Sequence, residues 1–106
     1  MEVTFETKEL RDVCTYSDIA EAGLPLAAAR GLRNVIADLR ASRFLDEFFL
    51  LQSIQIPSSE FKITLGDGLF AHLASAHRVI PMTEGNFDPS KVYRIRVLAI
   101  EGECDD

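Results

Sequence analysis

The two histidines of this 106-residue chain, His72 and His77, are the side chains whose ordinary pKa lies closest to neutrality, so they are its natural carriers of a proton in acid–base chemistry. Around them in sequence stand the cations that a phosphate would need: Lys62, Arg78 directly after His77, and Arg94 and Arg96 two residues apart. A spacing of two places both arginines on one side of a strand, where they form either a phosphate-binding patch or an ordinary solvated sheet surface. Other chemistries are poorly supplied. No Ser/His/Asp or Cys/His set suggests a nucleophile, and Gly66-Asp67-Gly68 is not followed by the helix that a phosphate-binding loop requires. Cys14 and Cys104 lack metal-type spacing; in a reducing compartment they are expected to be free, with a disulfide or a zinc site using His72 or His77 as the alternative. No cofactor and no metal are expected.

Bulk charge bears on the partner. Seventeen acidic residues against 11 basic ones give a net charge of −6, unusual for a free-standing nucleic-acid binder, which needs a concentrated positive face to release counterions. The 47% hydrophobic content and the length suit one globular domain over residues 1–106. No run approaches the roughly 18 apolar residues of a membrane span, and Met1-Glu2-Val3-Thr4-Phe5-Glu6 lacks the order of a signal peptide, so a cytoplasmic protein without a membrane partner is expected.

The elements that must position these groups follow from periodicity. Val3 and Phe5 alternate with polar neighbours as in a half-buried strand. From Lys8 the spacing of Leu10, Val13 and Cys14 is helical, with Thr7 as N-cap and a break near Thr15 to Ser17. Ser17 then caps a short turn of helix stopped by Gly23, a residue able to take the left-handed conformation at a helix end. Pro25 opens the main helix, which runs to about Ser42 and buries Leu32, Val35, Ile36 and Leu39. Gly31 within it costs about 1 kcal/mol relative to Ala, which leaves open whether a close helix–sheet contact needs it or the helix tolerates it. Phe44 to Leu51 should form a helical turn closing one end of the core, and Gln52 to Ser59 a connection around Pro57. Phe61, Ile63 and Leu65 form a strand entering a hairpin at Gly66-Asp67-Gly68; Leu69 to Ala74 leave it, and His77-Arg78-Val79-Ile80 reads as a further short strand. Pro81 to Lys91 is a long loop, Val92 to Ile100 the final strand, and Glu101 to Asp106 a frayed acidic end. The class is α+β: a small antiparallel sheet with helices packed on one face.

Several of these segments, in this order, resemble HigB-like "killer" toxins of the RelE/ParE superfamily. The opening Met1 to Leu10 is similar to theirs, Ala29-Arg30-Gly31-Leu32-Arg33 through Ala37-Asp38-Leu39-Arg40-Ala41 to their long helix, and Leu65-Gly66-Asp67-Gly68 to their hairpin. His77-Arg78-Val79-Ile80 resembles an aromatic-Arg-aliphatic strand of the family, and Asp88-Pro89-Ser90-Lys91-Val92 through Leu98-Ala99-Ile100-Glu101 its final strand. The resemblance implies a RelE-like fold and the toxin of a type II toxin–antitoxin pair, a ribosome-dependent mRNA interferase held by a cognate helix-turn-helix antitoxin. Basic and polar groups on the concave sheet face would then activate the ribose 2′-hydroxyl, stabilise phosphate charge and protonate the leaving oxygen.

By that resemblance Arg78 is the phosphate-facing residue. His77 beside it and His72 are the acid–base candidates by their own chemistry, and strand alternation adds Lys62, Arg94 and Arg96 to Arg78 as the RNA-binding set, against the reading of a merely solvated sheet surface. Three departures weaken the catalytic expectation. Leu51 to Glu60 contains no basic residue, Leu65 to Phe70 contains none, and Gly102-Glu103-Cys104 stands where the family has Asp-Tyr-His. The expectation is therefore a toxin-lineage protein with weakened or lost ribonuclease activity. The alternative is a non-catalytic interaction module of the same fold, contacting a partner through an exposed Phe70 or forming a homodimer. Arg30, Arg33, Arg40 and Arg43 are read as local ion-pair partners of acids such as Asp38 and Glu47 rather than rRNA contacts.

Overall fold

The computed structural model describes residues 1–53 and 58–102; Pro57 and the acidic end from Glu103 lie outside the described residues. Strand β1 (Glu2–Phe5) leads into helices α1 (Lys8–Thr15), α2 (Ser17–Gly23), α3 (Leu26–Ala41) and α4 (Leu45–Leu51). Strands β2 (Glu60–Gly66) and β3 (Leu69–Ser75) follow, then a small hairpin of β4 (Met82–Thr83) and β5 (Asn86–Phe87), a 3-10 turn (Pro89–Lys91) and the long strand β6 (Arg94–Gly102). The main sheet has the order β1-β6-β3-β2. It is antiparallel across β2, β3 and β6 and parallel where β1 meets β6, so the α+β class holds with a mixed sheet. The parallel pairing follows from connectivity: the helices, hairpin and loop between the two strands carry the chain back to the end from which β1 started.

Local signals account for most element boundaries. Thr7 caps α1 by accepting the Leu10 N–H at 3.1 Å. Helix α2 ends differently from the expected left-handed glycine. Gly23 keeps a negative φ and Leu24 is extended (φ −127°, ψ 151°), because Pro25 excludes the helical region for the residue before it. Tyr16, extended, precedes α2, and Ser17 is its first helical residue rather than its cap. Both tight hairpins use two residues with positive φ, Asp67-Gly68 (52°, 76°) and Glu84-Gly85 (53°, 80°), the pairing that matches strand twist. The second of these places a hairpin inside what the Pro- and Gly-rich composition marks as a loop. At the other end of the chain, Glu101 and Gly102 belong to β6, paired with Phe70 and Leu69, not to a frayed tail.

His77–Ile80 is not a strand. The β3 ladder against β6 ends with Ser75 opposite Ile95 and the Ala76 N–H on the Arg94 carbonyl (3.0 Å), after which the chain bends away. Val79 and Ile80 therefore have no neighbouring strand to pair with among the described residues, and Val79 is 81% exposed. The strand that leaves the hairpin, β3, contains no arginine.

The core is one apolar layer between α3 and α4 on one side and the sheet on the other. It holds Leu32, Val35, Ile36 and Leu39 from α3, Leu45, Phe48 and Phe49 from α4, and Phe61, Ile63, Leu65, Ala71, Leu73, Ile95 and Val97 from the sheet. Phe49 and Phe61 meet edge to face, their ring centroids 5.3 Å apart. A bulge at Leu98 shifts the register, so that both Val97 and Ile100 contribute to the core despite their odd spacing. Gly31 is required by contact: a Cβ there would stand 1.9 Å from the Leu65 carbonyl oxygen. Gly66, beside Leu65, answers it from the hairpin, with φ of 132° and Ala27 backbone atoms 3.2 Å from where a Cβ would lie.

Replacing Gly31 by Ala gains about 1 kcal/mol of helix propensity but forces α3 off the hairpin, and overpacking of this kind costs about 1–3 kcal/mol and more when backbone is struck. The expected outcome is net destabilisation of G31A by at least about 1 kcal/mol in urea unfolding, whereas an alanine at Gly23, whose methyl would have no atom within 4 Å, stabilises or is neutral.

Candidate functional site on the open face of the sheet

Strand alternation turns one face of the sheet to the helices and leaves the other open. The register gathers on the open face Glu2, Thr4, Arg94 and Arg96 from β1 and β6, then Ala74, His72 and Phe70 from β3, then Glu60, Lys62 and Thr64 from β2. Lys62, His72, Arg94 and Arg96, four of the candidates named from sequence, therefore do share a surface. Arg78 and His77 do not join them in the sheet, because they follow the end of β3.

The electrostatics of that surface are internally compensated. Arg94 Nε lies 3.1 Å from a Glu2 carboxylate oxygen, and Arg96 lies 3.6 Å from Glu6. His72 Nε2 is 3.0 Å from Glu60 Oε1 across the β2–β3 ladder. Lys62 Nζ sits 4.6 Å from the centroid of the Phe70 ring, a cation–π contact that also covers the apolar side chain expected to be exposed. Each of these four basic groups on the open face thus has a partner on a neighbouring strand or at its end. The pairs are largely exposed, so each adds little to stability; their effect is on the field, since an adjacent carboxylate cancels most of the attraction an arginine offers to a phosphate.

His77 is held in a defined protonation state. Its Nε2 accepts the Tyr93 backbone N–H at 3.1 Å, and its ring stands edge-on to Tyr93 with centroids 4.4 Å apart. An acceptor nitrogen carries no proton, and partial burial, reinforced by the nearby Arg94 charge, lowers the imidazole pKa below its ordinary 6.5. His77 is therefore a neutral structural acceptor whose Nε2 is already occupied. Together with Ala74, Ser75, Ala76, Arg96 and Leu98 it lines an open depression of about 260 Å³ at the end of β3. Arg78 is exposed and has no ion-pair partner among the described residues.

The helix layer supplies no second cluster of this kind among the described residues. Arg33 pairs with Glu21 at 3.5 Å, but Asp38 is engaged by Gln52 Nε2 (2.7 Å) and Glu47 accepts the Arg43 backbone N–H (2.6 Å), so those two acids serve the backbone turn and α4 rather than arginines. Burial pushes the Cys14 thiol up to about 11, partly offset by Arg40, which leaves it protonated and unreactive at neutral pH. Among the described residues no group of three His, Cys, Asp or Glu side chains is placed to hold a metal ion. Nor, among them, is any helix long and apolar enough to cross a membrane.

Pairing partners are what sequence reading missed here. Glu2, Glu6 and Glu60 carry no motif, yet they decide what the cations can do; the only available signal was the alternation that puts Glu2 and Thr4 on one side of β1 and Glu6 in line with them just after it. No family model, no curated protein and no solved structure matches this chain.

Because the folded state disfavours protonated His77, the unfolded chain binds more protons as pH falls below 6.5, and stability drops. The stabilisation is present in full above that value and lost as pH descends through the lower folded pKa. Urea unfolding between pH 7.5 and 5 should show this loss, H77N should remove that part of the pH dependence, and the His77 ring should titrate below 6.5 by NMR.

Proposed function

We propose that this chain is the toxin-side protein of a type II toxin–antitoxin pair, of the RelE/HigB-like lineage, whose ribosome-dependent mRNA cleavage is weak or lost. Its retained role is to bind a small helix-turn-helix antitoxin in the cytoplasm. The lineage rests on the resemblance that runs in order along nearly the whole chain, and the strand, helix layer, hairpin and final strand follow in compatible sequence.

The observation that carries the loss of activity is the pairing of Arg94, Arg96 and His72 with Glu2, Glu6 and Glu60. Cleavage through the ribose 2′-hydroxyl needs a base for that proton, a cation for the growing phosphate charge and an acid for the leaving oxygen. Positioned acids and bases contribute about 10²- to 10⁴-fold, and charge stabilisation a comparable factor. Here His77 Nε2 is committed to the Tyr93 N–H, and Arg78 stands on a bend beyond the sheet. A net charge of −6 further opposes approach to RNA.

A second reading, a non-catalytic interaction module of the same fold, is favoured by the large apolar side chains left in solvent. Leu50 is 79% exposed and Val79 81%, with Met82 and Tyr93 also exposed.

Expressed alone in bacteria, the chain should slow growth little and leave mRNA uncut, and R78A should change neither result; robust ribosome-dependent cleavage that R78A abolishes would overturn the proposal. Co-purification with the product of the adjacent open reading frame separates the two readings, a helix-turn-helix protein supporting the first and an unrelated partner the second. Freeing the arginines gives an independent check on the electrostatics. Glu2→Gln with Glu6→Gln removes two carboxylates, moving the net charge from −6 to −4, and should raise affinity for single-stranded RNA by about two- to tenfold at low salt.

A further inference from the structure

Strand β2 lies at the end of the sheet and pairs, among the described strands, only with β3. The phase of its ladder is fixed by the Ser75 N–H on the Ser59 carbonyl at 2.8 Å, which makes Ser59, and by alternation Phe61 and Ile63, the residues bonded to β3. Glu60, Lys62 and Thr64 therefore direct their N–H and C=O groups outward along the edge, where the Glu60 N–H donates to Ser58 Oγ at 3.3 Å, an exposed contact that an incoming strand would replace. From Glu60 to Thr64 the strand has no bulge and no proline; the register shift comes later, at Leu65. Such an edge is a template for another strand.

We propose that this edge pairs with the same edge of a second copy, antiparallel about Phe61, so that Glu60 of each copy faces Lys62 of the other. The charges on the edge choose both occupant and register. Two-fold pairing about Phe61 makes Glu60 and Lys62 directly opposed, mutually hydrogen-bonded positions, with opposite charges side by side on the open face twice over. Centring on Glu60 opposes two carboxylates, and centring on Lys62 opposes two ammonium groups. Centring on Ile63 sets Lys62 against Thr64 and gains no ion pair. A lysine on an edge ordinarily guards against pairing, but here the same lysine meets an acid two residues away in the partner, which turns the guard into a selector for self-association. Glu60 can serve both neighbours, since His72 engages Oε1 and the carboxylate has a second oxygen. The inference is independent of the toxin-lineage reading.

Sedimentation of the full chain over a concentration series tests it. The wild type should form a reversible dimer, E60K and K62E should each weaken it by about tenfold or more, and E60K/K62E, which restores opposed charges in swapped order, should recover most of the affinity. In the double variant the carboxylate moves to position 62, directly across the ladder from His72, so a contact within the monomer is replaced rather than lost; repeating the charge swap with H72A shows that the recovery comes from the dimer. Amide exchange at Lys62 and Thr64 should slow with concentration. A monomer at every concentration up to about 1 mM, a dimer indifferent to these charges, or protection located on another surface would each overturn the proposal.

Discussion

Helix α3 and the β2–β3 hairpin approach each other closely enough that backbone meets backbone, and no side chain larger than hydrogen fits at Gly31, where a Cβ would come within 1.9 Å of the Leu65 carbonyl oxygen. Such proximity sets the height of the helix layer above the sheet and anchors α3 against the edge where β2 bends. With that distance set, Leu32, Val35, Ile36 and Leu39 reach Phe61, Ile63 and Leu73, and α4 closes the end with Phe48 and Phe49. A chain of this size buries a thin core, so one misplaced methyl at the seam is felt throughout it.

The same seam decides which face of the sheet is open. Alternation in β2 is strict, with Phe61, Ile63 and Leu65 buried and Glu60, Lys62 and Thr64 exposed, and the neighbouring strands inherit the choice through their register. The charges arriving on the open face come from four strands, of which β1 and β6 lie at opposite ends of the chain and β2 and β3 are neighbours in a hairpin. They meet as opposites: glutamates on and just after β1 beside arginines on β6, a glutamate on β2 beside a histidine on β3. Exposed pairs of this kind contribute about tenths of a kcal/mol each, too little to explain the fold, but as a set they flatten a potential that would otherwise be positive.

Away from the sheet, the segment from His77 to Lys91 is organised by polar contacts more than by burial. Asp88 holds it together, accepting from Ser90 and, at 2.5 Å, from the Thr83 hydroxyl; these bonds, the Ser90 one foremost, keep its carboxyl below the usual range. His77 ties the start of the segment to Tyr93, at the entrance to β6. The excursion is thereby closed into a compact unit whose apolar residues, Val79 and Met82, remain in solvent.

Periodicity alone was enough to locate β1, α1, the stripe of α3, the β2–β3 hairpin and most of β6, because each buries one face and therefore repeats at 2 or 3.6 residues. It was enough, too, to place Lys62, His72, Arg94 and Arg96 on the sides of strands where they are found. It misled at His77–Ile80, where the chain bends away from the sheet before an alternating run can pair; at Gly23 the helix stops as read, but the following proline rather than a left-handed glycine sets the exit. Whether Gly31 was needed or merely tolerated, that β1 runs parallel to β6, and that each open-face arginine is matched by a glutamate were settled only in three dimensions. Those properties depend on contacts between residues as distant as Glu2 and Arg94, and no local pattern encodes which distant neighbour a side chain will meet.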